Sequence, residues 1–260
     1  MNTLSGTLGS IKKILYNLTL TNDDEFDHSK AQIYEMKSGS KWLDDNFEIF
    51  YEDICDRKRQ KHVVFDEFFK SNYQWNKFIK YIENKICLEI GSGPMGMVNR
   101  WYWAKKRIII DPLVSDYKKL SIKKFGKSLF TNDIILYPQN AEIYIPRLSN
   151  KIDGAIVCRN TLDHCENPVG VIQNISEYAK VGCYLLLWSD LYHKKGHDAG
   201  HRNITKSKTE FESLITKGGF EIQHKFSAYK RNTVNYGCLA IKKSRTISNW
   251  KVEIGNRKLE

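Results

Sequence analysis

From residue 85 onward the chain is punctuated by short, almost continuously aliphatic runs: KICLEI (85–90), RIIID (107–111), DGAIVC (153–158) and GCYLLLW (182–188). A strand with one wet face would alternate polar and apolar residues. These runs do not alternate, so both faces must be buried, which requires a parallel sheet covered by helices. The segments between them, at 95–105, 114–124, 167–180 and 207–217, read as helices. Strands alternating with helices predict a doubly wound α/β sheet. Two last runs, FEIQHKFSA (220–228) and YGCLAIKK (236–243), are joined by a short polar link and should form an antiparallel pair at the sheet edge.

Residues 1–80 have a different character, rich in aromatic and charged residues. Phe68, Phe69, Trp75, Phe78, Ile79 and Ile82 recur at near-helical spacing. The expectation is a mainly helical cap or lid over 1–80, an α/β domain over 81–243 and a tail over 244–260. Trp101 and Trp103, in the helix expected at 95–105, read as core or interface residues.

The formal net charge is +11, which suits a negatively charged partner such as nucleic acid or a phosphorylated substrate. The basic residues are nevertheless scattered in short groups (DRKRQKH, AKKR, YKKL, IKKSR), the pattern of a solvated surface. The six cysteines form no C-x-x-C pair and fall partly in apolar runs, as reduced, buried thiols do. Lys12 and Lys13 interrupt the N-terminal apolar stretch, and no run approaches the roughly 20 residues that span a bilayer. A cytoplasmic protein without a membrane span is expected.

The sharpest feature is CLEIGSGPMG (87–96), where a buried strand ends in Glu89-Ile90 and turns through Gly91, Ser92 and Gly93. Glycines there allow positive φ and close approach of a ligand to the backbone. In an open parallel sheet, ligands bind at the carboxyl ends of the strands. A carboxylate before the loop repels a pyrophosphate but suits a ligand with a cationic amino group. About twenty residues on, Asp111 ends the next strand, where a carboxylate can accept hydrogen bonds from ribose hydroxyls. A nucleoside joined to a cationic amino acid describes S-adenosylmethionine.

LEIGSGPMG resembles the first motif of class I S-adenosylmethionine-dependent methyltransferases, with Gly96 one place beyond the usual third glycine. RIIIDPL resembles their second motif, and PQNAEIYIP (138–146) the segment that frames adenine. IDGAIVCRNTLDHCENP (152–168) and GHRNITKSKTEFESLITKGGFEI (200–222) are similar to stretches of the "type 11" branch. The match runs in order from residue 85 to about 243. It implies a seven-stranded, mostly parallel Rossmann-like sheet with an antiparallel C-terminal edge strand. It also implies cofactor contacts from Glu89, Ile90, Gly91, Ser92 and Gly93, from Asp111 and Pro112, from Asn140, Ala141 and Glu142, and from Arg159, Asn160 and His164. Asn140 stands where the family usually has an acid, and Asp163 where glutamate is commoner.

Methyl transfer to a protonated nucleophile needs alignment and a base. His201, His164 and His197 are the candidates, since imidazole accepts protons near pH 7. His193, His197 and His201 are spaced four apart, which on a helix would make a metal stripe. Gly196 and Gly200 argue for a loop instead, so no metal is expected. The expected acceptor is a small molecule, through a hydroxyl of a sugar or of a phosphate-bearing or nucleotide-linked metabolite. The alternatives are an RNA or protein methyltransferase and a non-catalytic S-adenosylmethionine-binding scaffold.

Overall fold

The computed structural model describes residues 28–55, 68–69, 72–193, 200–227 and 232–244. The elements that position the site are α1 (His28–Cys55), α2 (Asn72–Ile82), β1 (Ile86–Ile90), β2 (Lys106–Ile110), α3 (Val114–Phe125) and β3 (Ile134–Tyr137). They continue with β4 (Ala155–Arg159), α4 (Pro168–Tyr178), β5 (Tyr184–His193), α5 (Lys208–Lys217), β6 (Phe220–Phe226) and β7 (Thr233–Lys242).

The seven strands form one sheet in the order β3-β2-β1-β4-β5-β7-β6. All neighbours from β3 to β5 pair in parallel, and β7 runs antiparallel to both β5 and β6. The antiparallel pair expected at the C-terminal edge is present, with β7 inserted inward and β6 at the rim. This is a Rossmann-like, doubly wound topology with an antiparallel edge pair. Strand order reverses between β1 and β4, where ligands bind in such sheets.

The aliphatic runs earn their place by burial on both faces. Leu88, Ile90, Ile108, Ile156, Leu185 and Leu187 join α4 and α5 in one core, with Phe211 and Leu214. On the opposite face Cys87, Val157 and Leu186 meet Phe78 and Ile82 of α2, together with Phe68, Phe69 and Trp101. Trp101 is thus a core residue, as its sequence context suggests.

Three local expectations need correction. Residues 95–105 do not form an α-helix; they hold one 3-10 turn at Val98–Arg100. Gly96 has φ +64°, and the Glu89 carboxylate takes the amides of Met97 and Val98, so the chain is pinned before a helix can start. Strand β3, not among the strands expected above, is an edge strand of four residues, IILY, with only its ends buried; the run is apolar but too short to stand out in the sequence. Strand β5 runs on to His193, so Asp190 and His193 belong to the strand rather than to the loop after it.

Helix α1 spans 28 residues, about 42 Å at 1.5 Å per residue, and packs on α3. Phe47 stacks on Phe125 with ring centroids 4.0 Å apart. Lys124 reaches Asp44 at 2.8 Å, and the Tyr117 hydroxyl donates to the Glu35 carbonyl at 3.2 Å. Gly39 makes this approach possible: a Cβ there would stand 2.6 Å from the Tyr117 ring. The docking carries the first turns of α1 over the carboxyl ends of β1 and β2.

Candidate active site

The site begins with the turn after β1. Glu89 is 2% exposed, and its two oxygens accept the amides of Met97 and Val98, each at 2.9 Å. Burial pushes its carboxyl up to about 7, against the pull of those amides. Glu89 therefore stands behind the loop and holds it; neither it nor Ile90 lies on the cavity wall.

Gly91 has φ +68° and lies so close to Thr161 that an added Cβ would stand 2.2 Å from its side chain. The Thr161 hydroxyl is within reach of the carbonyls of Arg159 (3.0 Å) and Ile90 (3.1 Å), and so ties β1 to β4 across the point of strand reversal. Gly93 also has positive φ and lines the cavity, and a Cβ there would meet nothing within 4 Å. Its amide donates to Asp111 Oδ2 at 2.9 Å, while the Leu113 amide donates to Oδ1 at 2.7 Å. Burial raises the Asp111 carboxyl to about 6.

These parts enclose a cavity of about 230 Å³. Its floor is Gly91, Ser92, Gly93, Asp111 and Pro112; one wall is Asn140, Ala141 and Glu142, and the other is Arg159, Asn160 and His164. Every cofactor residue expected from the resemblance except Glu89 and Ile90 lies on this surface. Asn174 fixes one wall by donating to the carbonyls of Ala141 (2.8 Å) and Glu142 (3.0 Å). Asn160 sits at φ +49°, a conformation that asparagine tolerates and most residues avoid.

The roof comes from α1, through Ala31, Gln32 and Glu35. Glu35 Oε1 lies 3.2 Å from His164 Nδ1, which also sits 2.6 Å from the Gly200 carbonyl. A carbonyl can only accept, so Nδ1 carries the proton and Nε2 is left as the basic nitrogen. Burial raises the Glu35 carboxyl above its ordinary value, opposed by the His164 ring.

Beside the cavity, His164 and His201 pack with ring centroids 4.2 Å apart, and each Nε2 lies 3.9 Å from Asp163 Oδ2. Asp163 is 2% exposed and accepts the Ser189 hydroxyl at 3.1 Å. The Arg202 amide donates to the Asp163 carbonyl at 2.7 Å, which brings the 200–205 segment against this cluster. His201 is thus a neighbour of the cavity through His164 rather than part of its lining. His197 lies outside the described residues.

Sequence reasoning missed Glu35, Thr161 and Tyr117. Ala31, Gln32 and Glu35 share one helical face by their i, i+3 and i+4 spacing, but nothing local says that this face covers a cavity made by β1 and β2. Among the described residues, no helix is long and apolar enough to cross a membrane.

No protein-family model matches the sequence, and neither does any curated protein. Solved structures share the fold. One is a Bacillus halodurans protein assigned to the methyltransferases, at TM-score 0.50 and 16% identity, covering 66% of this chain and all of that one. Another, from Galdieria sulphuraria, is assigned as a sarcosine dimethylglycine methyltransferase; it has TM-score 0.51 and 12% identity and covers 66% of this chain and 82% of that one. At such identities the likeness speaks for the fold.

Proposed function

We propose that this chain is an S-adenosylmethionine-dependent methyltransferase that acts on a small-molecule acceptor through a hydroxyl. The observation that supports this most is the cavity itself. A positive-φ glycine turn and a strand-end carboxylate form its floor, a helix closes it, and imidazoles stand at its rim. The residues fit the cofactor: Gly93 leaves open space where any side chain would intrude, and Asp111 presents a buried carboxylate at the end of β2.

Asp111 would hold the ribose, the Gly91–Gly93 turn the amino-acid portion, and Asn140 and Ala141 the adenine. The cofactor supplies an electrophilic methyl group on a sulfonium. The acceptor hydroxyl would be held toward that methyl, and His164 on the cavity wall, or His201 packed behind it, would take the hydroxyl proton. Asp163 lies 3.9 Å from each Nε2 and would orient the two rings. Glu35, Asp111 and Glu142 outnumber Arg159 on the wall, which suits a cationic sulfonium. Any phosphate on the acceptor is accordingly assigned to a position away from the transferred methyl.

The test is calorimetric titration with S-adenosylhomocysteine. Binding at about 1–100 μM, or roughly −5.5 to −8 kcal/mol, that Asp111→Ala abolishes is the expected result. A metabolite panel with labelled methyl donor then reads the acceptor. A folded protein that does not bind S-adenosylhomocysteine would overturn the proposal. Binding without turnover of any small molecule would favour a scaffold, and labelling of RNA alone the nucleic-acid reading.

A further inference from the structure

We propose that Asp163, Asp190 and His193 hold a divalent metal ion at the carboxyl end of β5. Each offers one ligand atom, and these atoms lie within 4.8 Å of one another. Both carboxylates are more than nine-tenths buried, Asp163 at 2% and Asp190 at 8% exposure. Buried carboxylates brought this close to one another and to an imidazole form the kind of donor set that a divalent cation takes.

Two further observations point to a ligand rather than to packing. His193 Nε2 is buried and has no hydrogen-bond partner among the described residues, while its Nδ1 faces the Thr233 hydroxyl at 3.5 Å. Metal-bound histidines show this arrangement, one ring nitrogen oriented by an oxygen and the other left for the ion. Asn235, 1% exposed, has both side-chain polar atoms buried without partners among the described residues. It stands directly opposite Asp190 in the β5–β7 ladder, and opposed residues project from the same sheet face. The ladder breaks register just after Asp190, the kind of irregularity that re-aims side chains near functional sites. Asn235 is the natural further oxygen donor.

Two carboxylates, an imidazole and an amide oxygen make a mixed oxygen and nitrogen set, suited to Mn²⁺ or Zn²⁺. The ion neutralises the two aspartates and ties the end of β5 to the turn that carries Asp163. This binding does not depend on the methyl-transfer reading. That the ion shapes the acceptor side of the same site does rest on it.

The experiment uses untagged full-length protein freed of metal with EDTA and then dialysed. MnCl₂ is titrated in, and free Mn²⁺ is followed by its six-line electron paramagnetic resonance signal. The expected result is one Mn²⁺ per chain with Kd below about 100 μM, displaced by ZnCl₂, and weakened at least about tenfold in Asp190→Asn and in His193→Gln. If Asp190→Asn does not fold, His193→Gln carries the test alone. No binding of either metal, or binding that the folded variants leave unchanged, overturns the proposal. Calorimetry with S-adenosylhomocysteine in EDTA reads the cofactor site separately, so the two proposals fail independently.

Discussion

Replacing Gly91 by alanine should damage the fold, whereas the same change at Gly93 should damage binding. Both glycines have positive φ, +68° and +56°. An L-residue there costs about 1–2 kcal/mol. At Gly93 that is nearly the whole cost to stability, because an added Cβ meets nothing within 4 Å. At Gly91 the new methyl would stand 2.2 Å from the Thr161 Cγ2 and Oγ1, so Thr161 must move. Its hydroxyl then loses the carbonyls it ties together, and a buried group left unpaired costs about 1–3 kcal/mol. The sum for Gly91→Ala is about 2–5 kcal/mol, or roughly 4–20 °C in Tm at about 2–4 °C per kcal/mol. Gly93→Ala should lose about 2–8 °C but weaken S-adenosylhomocysteine at least about tenfold, because its methyl is added on the cavity floor. Thermal unfolding and calorimetry on both variants read the contrast. If Gly91→Ala unfolds no earlier than Gly93→Ala, the Thr161 contact does not secure the β1–β4 junction and the reasoning is wrong.

Three other outcomes follow from the same geometry. The Asp111 and Glu89 carboxyls are raised by burial to about 6 and about 7, so their neutral forms favour the fold. That stability is fully present below about pH 4 and is lost as pH rises through 6–7. A ribose accepted by ionised Asp111 should therefore bind about tenfold more weakly at pH 5 than at pH 7.5, a trend calorimetry across that range would detect. Gly39→Leu should push α1 off Tyr117, cost about 1–3 kcal/mol and weaken S-adenosylhomocysteine by opening the roof, read by unfolding and titration. Glu35→Gln should lower turnover about tenfold while the Kd for S-adenosylhomocysteine, which carries no sulfonium charge, changes little, once an acceptor is in hand; equal losses in both would mean that Glu35 holds the nucleoside or amino-acid portion instead.

The parallel half of the sheet is legible because β1, β2 and β4 are buried on both faces, and burial on both faces leaves an unbroken aliphatic signature. Strand β3 is apolar throughout, IILY, but four residues are too few to separate a strand from any short apolar stretch. The stretch after Gly96 looks helical by composition, but a distant carboxylate, Glu89, captures its amides, and no local propensity reports that. The cavity floor is readable for a related reason: positive φ demands glycine, and the end of a strand fixes where Asp111 stands. The roof is not readable, since Glu35 reaches the cavity only through the docking of α1 on α3. Asp190 looks like a loop residue until β5 is seen to continue to His193.

Helix α1 covers a sheet that does not yet exist when the helix itself is made. Leu43 and Phe47 are fully buried against residues of α3 and Leu129, far later in the chain. At about 5–20 residues per second of synthesis, that apolar stripe waits several seconds for its partner. The nascent chain thus carries an exposed greasy helix through the interval in which β1 and β2 emerge. Production of this protein should accordingly be sensitive to synthesis rate and to chaperone supply. A variant with a more polar α1 stripe would be less sensitive to both but would loosen the closed roof.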